Sequence, residues 1–203
     1  MDGRIGGLAL FLTLVAAMAA SVGSAMAGSP AMKTMGRTTQ PIGHYRFCKE
    51  IPAECAQRAA AKPSPLVANA RNWSLLTGVN AAVNAEVRPL TDQEIWGRQE
   101  VWSFPMDVGD CEDYVIEKRR RLIAAGIPSG DVLITVLRQP SGDGHAVLTV
   151  RTSGGDYILD NLDNRIRLWS DTDYTFLKRQ SERDSGVWLS ISDGRADAVA
   201  SVR

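Results

Sequence analysis

The chain has 203 residues, and its 23 Lys and Arg balance 23 Asp and Glu. An even charge leaves no electrostatic footprint for a nucleic-acid partner. Hydrophobic residues make up 44% of the chain, enough for a packed core, which excludes a disordered polymer.

Arg4 precedes an apolar run from Leu8 to Ala20, and the small residues Ser24-Ala25-Met26-Ala27-Gly28 follow. A basic start, a short apolar core and an Ala-x-Ala site predict a cleaved signal peptide over residues 1–27. The run is too short for a bilayer, which takes about 20 residues, so an uncleaved anchor is the weaker alternative. No later segment is apolar enough to span. The expected product is a periplasmic or secreted protein with no stable membrane span. Residues 28–65 form an N-terminal arm, with 28–45 rich in Gly, Ser, Thr and Pro and read as a tail or extended segment.

The three cysteines are Cys48, Cys55 and Cys111. An odd count in an exported chain leaves one thiol unpaired or reactive. On one continuous helix Cys48 and Cys55 would be about 10 Å apart, beyond disulfide reach. Pro52 disfavours that helix, so a turned Cys48–Cys55 disulfide is expected, against two free thiols or a metal pair with His44.

Residues 66–195 read as one domain, and 196–203 as a tail. Trp73, Leu76, Val79 and Val83 recur at helical spacing and predict a core-packed helix over 68–85. Residues 90–108 look irregular. A second helix is predicted from Asp110 to about Ala125, closed by Gly126 and Pro128. Its basic run Lys118-Arg119-Arg120-Arg121 is read as a solvated face. Strands are expected over 132–137, 145–151, 157–159, 165–169 and 187–191, with a turn at Ser153-Gly154-Gly155-Asp156. Helices followed by an antiparallel sheet give an α+β fold.

Gly109-Asp110-Cys111-Glu112-Asp113-Tyr114 places the odd cysteine in the first turn of a helix. The positive end of the helix dipole favours a thiolate, the useful nucleophile for acyl transfer. Beyond the signal segment the histidines are His44 and His145. His145 begins a strand after the Ser141–Gly144 loop, and Asp160 ends the next strand, where it would orient the ring. A two-residue turn centred on Gly154-Gly155 pairs Asp160 with Thr149 and leaves His145 about 13 Å further along. The triad therefore requires a shifted turn, a bulge or a bend. Taken singly, a cysteine at a helix start, a lone histidine and a strand-ending aspartate are each also compatible with purely structural roles.

The segment from Trp96 to about Leu189 resembles the bacterial transglutaminase-like cysteine peptidases, a family that includes LapG-type periplasmic proteases of surface adhesins. The resemblance rests on Gly109–Tyr114, Gly144-His145-Ala146-Val147-Leu148 and Leu159-Asp160-Asn161, with Trp102, Pro105 and Trp169. It implies a transglutaminase-like or papain-like core with Cys111, His145 and Asp160 as nucleophile, base and orienting acid. It implies a protein substrate such as a surface adhesin, although the Trp102–Gly109 stretch is shorter than in the adhesin-processing branch. It also implies a calcium site at Asp110, Glu112 and Asp113. Three side chains cannot fill the roughly six to eight positions of calcium, so backbone carbonyls, water or another acid such as Asp92 or Asp107 would complete the shell. The bland alternative for these acids is helix capping, with Asp110 as N-cap and Asp113 completing a box. Amine transfer by the same triad, or a non-enzymatic envelope protein on this fold, are the competing functions.

Overall fold

The computed structural model describes residues 30–58 and 63–192, with the isolated positions 1 and 3. The expected signal peptide and the 196–203 tail lie outside the described residues. In chain order the elements are β1 (Thr34–Thr38), α1 (Ile42–Glu50), α2 (Pro52–Cys55), α3 (Ala70–Glu86), β2 (Arg88–Pro89), α4 (Asp92–Trp96), β3 (Val108–Gly109), α5 (Cys111–Ala124), β4 (Val132–Arg138), β5 (Gly144–Thr152), β6 (Gly155–Leu159), β7 (Arg167–Leu168), β8 (Thr175–Gln180) and β9 (Trp188–Ile191).

Seven strands form one sheet in the order β1-β9-β8-β4-β5-β6-β7, and every pairing in it is antiparallel. Helix α5 packs on β4 and β5, and α3 packs against α5. The main core lies there, with Leu76, Val115, Ile116, Leu122, Ile134, Ala146, Leu148 and Trp188. The α+β class read from the sequence is therefore the fold.

The two long helices fall within two residues of the expected bounds, because apolar spacing and end signals agree there. Helix α3 starts on Asn69, whose side chain accepts from the Asn72 amide, and α5 ends before Gly126. The 28–45 segment differs from expectation. Residues 34–38 are an edge strand on β9, and α1 begins at Ile42. Strand β1 shows no alternation and gains its partner only from the far end of the chain, which no local pattern reports. Strand β8 also escapes the pattern, although it is interior to the sheet. Arg179 and Gln180 are buried there, and the Gln180 Oε1 accepts from the Ile134 amide beside a register shift between Val136 and Leu137. A polar side chain thus replaces a missing ladder bond.

The basic run of α5 is half wrong as a solvated face. Nine of the fourteen residues of α5 are buried, including Lys118 and Arg119. Arg119 gives its Nε to the Val132 carbonyl at 3.1 Å and an Nη to Gln57 at 2.8 Å. Arg120 and Arg121 do reach outward and share Glu117. The helix is enclosed on several sides, so its polar flanks are covered too.

Cys48 and Cys55 form the expected disulfide, with α1 and α2 meeting at the Ile51–Pro52 break. His44 lies against it but is a core residue, edge-on to Trp102 and Trp188, and burial pushes its pKa down to about 3. Non-reducing peptide mapping should recover Cys48 linked to Cys55 with Cys111 free. A Cys48→Ala/Cys55→Ala protein should lose about 2 kcal/mol in denaturant unfolding, the loop-closure value for so short a ring. An unchanged unfolding midpoint would contradict that role.

Candidate active site

Register brings the two strand residues together. Thr152 pairs with Gly155, so the β5–β6 turn is Ser153-Gly154, one residue earlier than expected. The Thr152 hydroxyl fixes it, accepting from the Gly154 amide at 3.0 Å and donating to the Gly155 carbonyl at 2.8 Å. Moving a turn by one residue moves each cross-strand partner by two. Leu159 opposes Leu148, so Asp160 continues opposite Val147, and the offset to His145 halves to about 7 Å, within diagonal side-chain reach.

His145 Nε2 and Asp160 Oδ1 are 2.9 Å apart, and both side chains are buried. The bond leaves Nδ1 of the ring for a second partner. Asp160 is held on every side: Oδ1 also accepts the Leu162 amide, Oδ2 accepts the Tyr174 hydroxyl at 2.6 Å, and its carbonyl accepts Asn84 Nδ2 at 2.8 Å. Burial alone would raise its pKa, but the His145 bond and the other donors bring it below the ordinary value. Tyr174 and Asn84 were not legible as site residues, since each lies in an unremarkable stretch and acts only through tertiary contact.

Cys111 is the first residue of α5, as expected, and α5 packs on β5, the strand that carries His145. Its thiol donates to Glu112 Oε2 at 3.1 Å. Burial and the Glu112 charge push the thiol well above its ordinary pKa, against the low value that the helix dipole alone suggests. A groove of about 200 Å³ opens beside the thiol, lined by Pro89, Leu90, Thr91, Glu94, Gly109, Asp110 and Asn161.

The acids around Cys111 divide differently from the sequence reading. Asp110 occupies the N-cap position but makes no side-chain cap bond. Asp113 instead accepts the Ser103 amide at 2.8 Å, Asp92 accepts the Val101 amide at 2.6 Å, and Asp110 accepts the Asp92 amide at 3.3 Å. Capping therefore does not account for them. One oxygen each of Asp92, Asp110 and Asp113 lie within 4.8 Å of one another. Oδ1 of Asp92 and Oδ1 of Asp110 are buried without a partner. Glu112 stands outside this group, where it accepts the Cys111 thiol; Asp92, named from the sequence as one acid that could complete the shell, takes its place. Gly109 makes room, since a Cβ there would lie 2.8 Å from Asp113 Cβ and Oδ2. Buried, partnerless carboxylate oxygens are a donor set that fits a hard cation such as calcium.

Comparisons with known proteins identify the family and the fold. The family model of the bacterial transglutaminase-like cysteine proteinases matches residues 34–196. A calcium-bound structure of Legionella pneumophila LapG is similar at a TM-score of 0.51, with 23% identity over 74% of this chain and 81% of that one. A second structure of Legionella pneumophila LapG gives 0.51 and 23%, covering 79% and 86%. No curated protein matches the chain.

Burial raises Asp113 to about 7 and Glu112 to about 9. Their folded-state pKa values exceed the unfolded ones, so the native state binds more protons and stability falls as pH rises from about 4 through those values. In chelator-treated protein the Tm should fall steadily between pH 5 and 8, and excess calcium should flatten that fall. A Tm that rises over this range without calcium would contradict the acid cluster.

Proposed function

Because the chain belongs to the bacterial transglutaminase-like cysteine proteinases, we propose that this peptidase works through Cys111, His145 and Asp160. The observation that carries the reading is the buried His145–Asp160 bond on the sheet against which the helix bearing Cys111 packs. With Nε2 committed to Asp160, Nδ1 takes the thiol proton as Cys111 leaves Glu112 and attacks a peptide carbonyl. The thioester forms as the amine leaves with that proton, and the neutral ring then activates water for hydrolysis. Asp160 fixes the tautomer and stabilises the imidazolium, supported by Tyr174 and the Leu162 amide. Amide groups at the start of α5 are suited to hold the oxyanion.

Asp92, Asp110 and Asp113 would hold a calcium ion, which supplies positive charge that offsets their repulsion. Support comes from the partnerless buried oxygens of Asp92 and Asp110 and from the calcium-bound state of the LapG relative. Glu112 keeps a different role, as the thiol's resting partner. The substrate is a protein of the envelope or surface, an adhesin being one such class, and the enzyme acts after export. The signal-like residues 1–27 support that location, and no helix among the described residues is long and apolar enough to cross a membrane. Residues 66–195 carry the catalytic domain, although the sheet also recruits β1 from the N-terminal arm.

Two measurements test this. New protein N-termini in envelope extracts should appear with the native enzyme and vanish with Cys111→Ser and with His145→Ala. Cuts that persist in both variants would remove the triad, and crosslinks to an added amine in place of cuts would make the enzyme an acyl transferase. Calorimetry on chelated protein should show calcium binding that Asp92→Asn weakens by about tenfold or more, while Glu112→Gln retains it. Equal loss in the two variants would restore Glu112 as a ligand.

A further inference from the structure

Asn161 and Cys111 line one groove, which brings the loop after β6 to the start of α5. The backbone around Asn161 is held on both sides. The Asp160 carbonyl before it accepts Asn84 Nδ2 at 2.8 Å, and the Leu162 amide after it donates to Asp160 Oδ1 at 3.0 Å. The acid that bonds His145 therefore also fixes where the Asn161 side chain leaves the chain. Side chains that meet a substrate need such support.

The Asn161 amide is half-buried, and its Oδ1 is buried without a partner. Oδ1 and Nδ2 share one planar carbon, so a sealed oxygen leaves the nitrogen on the open side. A bound peptide carries carbonyl oxygens into the groove, and these need donors. The other polar side chains of the wall are committed elsewhere. The Thr91 hydroxyl donates to Glu94 Oε2 at 2.7 Å, and the Cys111 thiol to Glu112 Oε2 at 3.1 Å. Asp110 accepts the Asp92 amide and belongs to the candidate cation site. Among the described residues of the groove, Asn161 is the side chain with an uncommitted N–H.

We propose that Asn161 is a further catalytic residue, whose Nδ2 donates to the carbonyl oxygen of the scissile peptide and to the oxyanion formed there. The inference rests on the reading of Cys111 as nucleophile. As the sulfur bonds the carbonyl carbon, the π electron pair moves onto oxygen. It returns when the amine leaves with the proton that His145 took from the thiol, and Asn161 neither gains nor loses a proton. The bond to Nδ2 strengthens as charge grows on the oxygen, so it acts on the transition state more than on the bound substrate. Amides at the start of α5 complete the hole.

The test compares two reagents for one thiol, in excess calcium. Acylation by p-nitrophenyl acetate passes through an oxyanion, whereas alkylation by iodoacetamide is a displacement at saturated carbon and forms none. Acylation is read as p-nitrophenolate release above the Cys111→Ser background. Asn161→Ala should acylate about a hundredfold more slowly and alkylate within about twofold of the native rate. Asn161→Leu keeps the volume, should behave alike, and decides the matter if the alanine variant does not fold. Native acylation rates in these variants overturn the proposal. Equal losses of acylation and alkylation also overturn it, since they mark a general disturbance of the thiol. Native protein that alkylates at Cys111 but releases no p-nitrophenolate above background overturns the nucleophile reading, and the proposal with it.

Discussion

Asp92, Asp110, Glu112 and Asp113 meet at the first turn of α5, and burial pushes every one of them above the ordinary carboxyl range. The helix dipole offsets such acids by about 0.3–1 kcal/mol each, too little against the burial that raises Asp113 to about 7 and Glu112 to about 9. The fold tolerates them by binding amides of the preceding loop, at Val101 and Ser103, which also pins that loop over the helix start. Those bonds use one oxygen of Asp92 and one of Asp113 and turn the remaining oxygens toward each other. The same interaction that builds the mouth of the groove thus crowds carboxyl groups beside the thiol. A dipole that would otherwise lower the thiol pKa is overwhelmed, and Cys111 rests protonated on Glu112.

Strand β5 converts this crowded helix start into a site. It lies between β4 and β6, so its register is fixed from both sides. Its first residues give the ring of His145 to Asp160, while Ala146, Leu148 and Val150 belong to the core under α5. The loop after β6 is gripped from α3, where Asn84 holds the Asp160 carbonyl and Asn80 the Asn164 carbonyl. Geometry at the candidate triad is therefore inherited from the sheet and two packed helices, elements that move less than loops do.

Much of this was legible in the sequence where a local rule applied. Helices α3 and α5 follow from apolar spacing with Asn69 and Gly126 at their ends, and the leftover cysteine at a helix start pointed to Cys111. The His145–Asp160 partnership was named but could not be reached by counting, because the turn could be centred on either side of Gly154. A side-chain bond from Thr152 chooses between them, and no propensity scale contains that choice. Strands β1 and β8 were hidden for another reason: their partners are remote in sequence, and β8 buries Arg179 and Gln180 where a pattern search asks for apolar residues. The acids were identified as a group, but their division was not. Glu112 and Asp113 are neighbours on a helix and so point about 100° apart, which sends one to the thiol and the other to Asp92.

Helix α5 thereby carries a graded charge along one side, acids and thiol at its start and a buried lysine two turns later. Sequence neighbours Lys118, Arg119, Arg120 and Arg121 look alike as a basic run, yet their surroundings separate them into three roles. Arg120 and Arg121 close on Glu117 at the surface, Arg119 satisfies the Val132 carbonyl, and Lys118 alone among them has no hydrogen bond. The acids at the helix start oppose formation of a thiolate, so the nucleophile is restrained in the resting protein. A cation bound at Asp92, Asp110 and Asp113 would offset their charge and relieve that restraint.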